Sequence, residues 1–471
     1  MATAVQDPIT ERRSVQLTVS LAVLGVFVTY VPITSVSVSL TSIGATTGAA
    51  TPDLQWVSDS YIIPMAAMVL SAGVFGDLHG RRRVFLVGMA LTIAGALIAG
   101  LGATLGGITA VHVLWAGQAI SGVGGGLLLP TTLALIAHAV PDPRERARFV
   151  ALWATGLVLG LAVGPLIAGL ILEVGHWGWI FAPTVVLAVA TGGLALLRLP
   201  ESKAPEGRRL DWPGQITATV AIAASIYGVI EGGRTGWSSP QAIAGLAAGV
   251  IALVGFVVVE LRSDAPLMQL ELFRVPAFTA AGVSALVALF AIVGAMFLLS
   301  LFFGGVQRLS PLEIGWRLLF ITGVSAVASP AVGRLMSRLQ PMTVLAGGLL
   351  LAAVSMLLML GIDDGTGFAD AAWRLSVFGV AEAVMLTSVA VASIDAVPHR
   401  LAGMAAAVNT VLRQYGAALG PAVLGVILTA RIDAGAPAAS ALHTALLANA
   451  GLLVLAAAGC ALAELRSARL D

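Results

Sequence analysis

Gly73-Val-Phe-Gly-Asp77-Leu-His-Gly80-Arg81-Arg82-Arg83 separates two long apolar stretches, 54–75 and 84–103, and its reading decides the fold. An acid near the end of one run, a glycine suited to a tight turn and three consecutive arginines describe a short polar connection between two helices. Three arginines are expensive in hydrocarbon, so the connection marks a water-facing end of two membrane spans. Asp77 can cap its helix or face the positive N-terminus of a neighbour. Composition agrees with lipid as the main solvent. Of the 471 residues, 58% are hydrophobic and 10% charged, where soluble domains carry about 25% charged residues. Mean hydropathy is +0.98. The net charge of +1 points to no nucleic-acid partner. The single cysteine, Cys460, lies in an apolar run, which argues against a disulfide framework or a cysteine metal site.

Outward from that loop, apolar stretches long enough to cross about 30 Å of hydrocarbon fall at 15–40, 54–75, 84–103, 108–138, 147–172, 177–197, 214–231, 241–260, 277–303, 311–333, 342–361, 372–396, 403–429 and 441–463. They are continuously apolar rather than alternating, so helices, not barrel strands, are expected. Arg12 and Arg13 before the first stretch imitate a secretory signal, but 15–40 is too long and reads as an uncleaved first span. The expected fold is an all-α polytopic membrane protein with fourteen transmembrane helices. With the N-terminus inside, 19 of the 25 basic residues fall in cytoplasmic connections or tails. Among them are Arg144, Arg146, Arg148, Arg208, Arg209, Arg400 and Arg469. The bias predicts a multi-pass protein of the bacterial inner membrane with both termini cytoplasmic. The polar stretch at 198–212 and a weak repeat, 73–83 against Gly333-Arg-Leu-Met-Ser-Arg-Leu-Gln-Pro341, divide the chain. Residues 1–200 form one six-helix bundle, 201–275 a linker with two inserted helices, and 276–471 a second six-helix bundle.

The 73–83 stretch resembles the signature loop of the major facilitator superfamily between its second and third helices, carried by Gly73, Asp77, Gly80, Arg81 and Arg82. Its arginines can pair with Asp142 or Glu145. In the fifth span, Gly156-Leu-Val-Leu-Gly160-Leu-Ala-Val-Gly164-Pro165-Leu-Ile-Ala-Gly169 is similar to the glycine-proline signature of that superfamily's antiporters. Small residues every four positions let helices approach closely, and Pro165 permits a bend. Gln55-Trp56-Val-Ser-Asp59-Ser-Tyr61, Gly122 to Pro130, Leu210-Asp211-Trp212-Pro-Gly214, Pro266 to Arg274 and Arg413-Gln414-Tyr415-Gly416 resemble the fourteen-helix drug:proton antiporter branch, exporters of quaternary ammonium compounds and many antibiotics. The resemblance covers nearly the whole chain. It implies the major facilitator fold, rocking alternating access about a midplane cavity, and export of small lipophilic compounds in exchange for protons. Two departures weaken the proton part. The first span reads Thr29-Tyr30-Val-Pro32-Ile-Thr34 with no acid, and Gln118 stands where the fourth-span signature carries an arginine.

Ionisable groups inside spans are functional candidates by default. The proton-coupling candidates are Asp59, Glu382, Arg413, Glu313 and Arg317. Asp59 matches the acid of the quaternary-ammonium exporters; its plain alternative is a solvated helix-end residue. Glu313 and Arg317, four apart, can form an ion pair on one helix face. Glu382 is the best remaining proton-carrying carboxylate, modulated by Arg413; the rival is that the two lock two helices together. Tyr30, Thr34, Ser37, Met65, Gln118, Trp153, Met296, Asn409 and Gln414 are expected to line the cavity, with helix packing as the alternative for each. Few acids favour a neutral or weakly charged substrate over a dication. No Gly-Lys-Ser/Thr loop or His-Glu-x-x-His pair is present, so neither an enzyme nor a metal or cofactor is expected. Partners are membrane lipid, the small substrate and protons, with the protein a monomer. The alternatives are an uncoupled facilitator or importer of a neutral metabolite on the same fold, and a non-transporting sensor or assembly partner whose cavity would be packed solid.

Overall fold

A computed structural model of the chain describes residues 8–140, 142–203, 211–263, 266–336, 338–398 and 401–467. The expected cytoplasmic bases Arg208, Arg209, Arg400 and Arg469 lie outside the described residues, as do the side chains of Arg12, Arg13 and Arg144. The long helices are α1 (Pro8–Thr47), α2 (Thr51–His79), α3 (Arg81–Gly102), α4 (Gly107–Ala139), α5 (Pro143–Val174), α6 (Ala182–Arg198), α7 (Trp212–Thr235), α8 (Pro240–Arg262), α9 (Pro276–Gly305), α10 (Pro311–Met336), α11 (Pro341–Leu358), α12 (Phe368–Asp395), α13 (Ala402–Asp433) and α14 (Ala438–Ser467). Short 3-10 turns, Trp177–Phe181, Leu270–Arg274 and Met359–Gly361, join some of them. Thirteen are long and apolar enough to cross a membrane, and α2, bent by 56°, makes fourteen if its two arms count as one span. The helices match the expected stretches, and most run a few residues further at their ends. Asp142 accepts from Glu145 N at 3.1 Å at the start of α5, and Asp211 accepts from Gly214 N at 2.8 Å at the start of α7.

The packing repeats along the chain. In the first six helices α1 packs on α4 and α5, α2 on α4, and α3 on α4 and α6. In the last six, α9 packs on α12 and α13, α10 on α12, and α11 on α12 and α14. Each pair in the second set is the first set moved on by eight helices, as the weak sequence repeat anticipates. The two sets meet through α5 with α10, α2 with α13, and α1 with α9. Glycine makes these seams close. A Cβ at Gly156 would sit 2.7 Å from Val23 Cγ1, and one at Gly160 2.9 Å from Phe27 O, so α5 lies backbone to backbone on α1.

The inserted pair α7–α8 leans on both sets. Gln215 of α7 donates to Ala67 O and accepts from Ser71 Oγ, both across to α2. Ala67 O is the carbonyl that Ser71 N would take in an unbroken helix, and the 56° bend falls between Val69 and Ser71. A side chain inserted into the helical hydrogen-bond ladder accounts for the bend. On the other side of α7, Ser225 Oγ and Tyr415 OH of α13 lie 2.8 Å apart, and Tyr227 stacks near Trp56 of α2 at 6.4 Å.

Candidate functional site

The turn at residue 80 is built around a glycine whose backbone and surroundings penalise any side chain. Gly80 has φ +103°, a conformation L side chains rarely adopt. A Cβ there would meet the Glu201 carboxylate at 2.5–2.9 Å. Asp77 and Arg81 pair at 3.0 Å, Glu201 Oε1 accepts from Arg82 N at 3.1 Å, and Ser202 O accepts from Arg81 N at 2.9 Å. The acids that engage this turn are therefore Asp77 and Glu201. The expected partners serve elsewhere: Asp142 caps α5, and Glu145 supplies the backbone donor. Gly73 has open space around a Cβ, so packing does not demand glycine there.

The fifth-span signature forms a three-way seam. Gly160 and Gly164 face α1, and Gly164 O accepts from Ser35 Oγ at 3.0 Å. One turn further, Gly169 lets α5 approach Leu312 Cα to 2.8 Å of a Cβ, and Pro165 O lies 2.6 Å from a Cβ at Gly315. The contacts α5–α10 therefore join the two sets at the end away from the 80–81 turn. Three more contacts close the same end. Ser300 Oγ donates to Ser37 O, Gly304 packs under Thr41, and Gln55 Nε2 donates to Pro421 O at 3.2 Å.

Behind that seal lies a space lined by Tyr30, Thr34, Ser37, Met296, Glu382, Arg413 and Gln414. It encloses about 30 Å³, room for a water molecule or two and far below the 300–1,000 Å³ of a drug-sized site. The space is neither solid nor wide enough for a drug-sized ligand. Glu382 is 2% exposed, and its Oε2 has no hydrogen-bonding partner among the described residues. Arg413 shares the space, half-buried, with its Nε equally unpartnered. The two form no ion pair within 4.0 Å, so they are not locked together here. The remaining wall is apolar and escaped the sequence reading. Ile62, Leu161, Leu289, Ile292, Val293 and Leu386 line it, with Thr322, whose hydroxyl is also unpartnered. Leu289, Ile292, Val293 and Met296 follow helical spacing on α9, but α9 is apolar all round, and no polar face marks which side is the cavity.

Four expected lining residues lie elsewhere. Met65 sits beside the space, its Sδ 3.5 Å from Gln414 Nε2. Gln118 donates to Val57 O at 3.3 Å and borders a separate crevice of about 10 Å³ with Ser37, Ser58 and Tyr61. Trp153 packs with Val19, Ala22 and Ile136 and donates to Thr132 Oγ1 at 2.9 Å. Asn409 donates to Ser393 Oγ at 2.7 Å. Each satisfies a polar group locally, which a one-dimensional pattern of amide and aromatic residues does not distinguish from a lining role.

The Glu313–Arg317 pair does not form. Glu313 closes a capping box with Ser310, accepting from Ser310 N at 2.8 Å while Ser310 Oγ accepts from Glu313 N at 3.3 Å. Arg317 reaches Gln307 Oε1 and Thr366 O and lies over the Phe303 ring at 4.8 Å. It fastens the α9–α10 connection to the one before α12. Asp59 is 0% exposed, and neither carboxylate oxygen has a partner among the described residues. It is buried rather than solvated, one turn beyond Gln55 on the face of α2 that meets α13.

Residues 22–421 match the sequence model of the Major Facilitator Superfamily. The chain belongs to this superfamily. It is a membrane transporter and not an enzyme. It is 32% identical over 424 residues to multidrug resistance protein Stp of Mycobacterium tuberculosis, covering 90% of this chain and 77% of that protein. It is 30% identical to the tetracenomycin C resistance and export protein of Streptomyces glaucescens, covering 87% and 75%. The methylenomycin A resistance protein of Bacillus subtilis is 28% identical, with 92% of each chain covered. Among solved structures, a POT family transporter in complex with 5-aminolevulinic acid superposes with a TM-score of 0.70 at 13% identity, covering 94% of each chain. That likeness establishes the shared fold and nothing about substrate.

Proposed function

We propose that this transporter exports small lipophilic, neutral or weakly charged compounds from the cytoplasm by alternating access, in exchange for protons. The observation that carries the reading is Glu382, a buried carboxyl without a hydrogen-bonding partner at Oε2, set with Arg413 and Tyr30 in the space where the two helix sets meet. An unpaired buried charge is costly, and intramembrane acids of this kind mark proton pathways. Asp59, equally unpartnered, is the second proton-carrying group. The resistance and export names of the relatives support outward transport of drug-like molecules. In this reading residues 1–200 and 276–471 are the two rocking halves, 201–275 spans them, and the protein is a monomer of the bacterial inner membrane with both termini cytoplasmic. The contracted cavity is then one state of the cycle, closed at the periplasmic end.

The test is susceptibility profiling of an efflux-deficient host with and without the protein, repeated with an uncoupler and with Glu382→Gln. Resistance that disappears with the uncoupler and with the variant, at unchanged protein level, is the expected result. Resistance that survives both refutes proton exchange. A second reading, an uncoupled facilitator, is favoured by Pro32 and Gln118, which stand where the resembled branch's pattern has charges; it predicts equilibration of the substrate across the membrane and no uncoupler-sensitive resistance.

A further inference from the structure

We propose that the groove between α9 and α14, at the end of the molecule bearing the 80–81 turn, is a binding site for one anionic glycerophospholipid. The groove encloses about 550 Å³ and is the roomier of the spaces described, well above the contracted central cavity. Its walls are apolar side chains such as Val283, Val287, Leu455 and Leu462, and its floor is cut by Gly459, where a Cβ would meet nothing within 4 Å. Such a surface holds acyl chains. Its mouth is different: Arg274, in the short turn before α9, and Arg466, in the last turn of α14, both line it. Both are exposed, and neither forms an ion pair among the described residues. The nearest acid on α14, Glu464, is turned away, accepting from Thr343 Oγ1 of α11 at 2.6 Å. Glu271 shares the short turn with Arg274 but does not line the groove.

Both arginines stand where the spans Pro276–Gly305 and Ala438–Arg466 end. That is the depth of lipid headgroups, and a guanidinium there matches a phosphate in a bidentate geometry. Two unneutralised cations above an acyl-sized cleft select an anionic headgroup over a zwitterionic one. Basic pockets between spans on this face of a membrane protein bind such headgroups. A surface arginine near anionic lipid is worth roughly fivefold in affinity, so two give about thirtyfold.

Native mass spectrometry of the full-length protein in detergent tests this, titrating phosphatidylglycerol or phosphatidylcholine with identical acyl chains. The expected result is one phosphatidylglycerol bound about thirtyfold more tightly, with the preference abolished in the double variant Arg274→Gln, Arg466→Gln. Gly459→Leu, placed in open space, should weaken both lipids alike while thermal unfolding is unchanged. Equal affinity for the two lipids overturns the proposal, as does a preference that survives the double variant. Competition by glycerol 3-phosphate as strong as by the lipid would make the arginines an anion site only. A dimer that excludes the lipid would show a second copy of the chain as the occupant.

Discussion

Replacing Gly80 with alanine isolates the turn on which the fold was read. Two costs follow from its geometry. The backbone at φ +103° is a conformation that holds an L residue at about 1–3 kcal/mol. The new Cβ would also displace the Glu201 carboxylate, which stands 2.5 Å away at Oε1 and accepts from Arg82 N at 3.1 Å and Ser202 N at 3.1 Å. Glu201 is about a third exposed, so these bonds are screened by water and their loss is worth about 1 kcal/mol. The sum is about 2–4 kcal/mol of destabilisation. Gly73→Ala is the internal control: it lies inside α2, which Gly80 terminates, with open space at its Cβ, and it should stabilise by about 0.5–1 kcal/mol. Equilibrium unfolding in mixed micelles of a mild and a denaturing detergent, followed by tryptophan fluorescence, measures both. In a Glu201→Ala background the crowding disappears, and Gly80→Ala should then cost about 1 kcal/mol less than in the parent. A Gly80→Ala cost no larger than that of Gly73→Ala would refute the reasoning, because neither the backbone nor the carboxylate would then constrain the site.

Asp59→Asn removes a carboxyl whose two oxygens are buried without partners, so it should raise stability by about 1 kcal/mol or more while lowering uncoupler-sensitive export; a loss of stability would show a partner for the carboxylate. Gln215→Leu releases Ala67 O and Ser71 Oγ, and should cost about 1–3 kcal/mol and straighten α2, read as a changed distance between spin labels at residues 57 and 78. Arg317→Gln should cost about 2–3 kcal/mol by freeing the loop at Thr366, yet leave the uncoupler sensitivity of transport intact; altered coupling would return Arg317 to the proton pathway. Gly315→Ala pushes against Pro165 O, 2.6 Å from its Cβ, and should open the sealed end, lengthening the distance between labels at residues 47 and 308.

The spans were readable because hydrocarbon thickness imposes a length and charge imposes ends. At α5 and α7 the boundaries moved outward because the caps Asp142 and Asp211 add a polar turn to an apolar run. The two stretches of the weak repeat sit alike, Gly73 to His79 in the last turns of α2 and Gly333 to Met336 in the last turns of α10. The site was readable only where charge is costly. Glu382 and Arg413 stood out for that reason and do share one space. Glu313 and Arg317 stood out for the same reason, but their spacing of four also suits a capping acid followed by a loop anchor. Spacing on one helix does not reveal that Ser310, just before it, takes up Glu313, or that the loop at Thr366 takes up Arg317. Trp153 and Asn409 show the converse: a polar atom inside a membrane must find a partner, and Thr132 and Ser393 provide it from another helix.

The glycines of α5 tie the seal to the interior. Gly156, Gly160 and Gly164 remove side chains along one face, so α5 lies directly on α1, which carries Tyr30, Thr34 and Ser37 into the cavity. Past Pro165 the same helix abandons α1 for α10 of the other set, at Gly169 and Gly315. A proline there leaves one carbonyl of the preceding turn without its helical donor and permits the change of direction. The helix that seals one end is thus the helix that backs the cavity wall. Parting α5 from α10 would shift α1 with it, because Gly160 and Gly164 set the α5 backbone against Phe27 O and Val31 O of α1 with little space to absorb the motion. Tyr30 and Glu382 lie on opposite sets across the space. An opening at the sealed end would therefore change the surroundings of the Glu382 carboxyl in the same movement that enlarges the cavity, the coupling that the proposed exchange of a proton for a substrate requires.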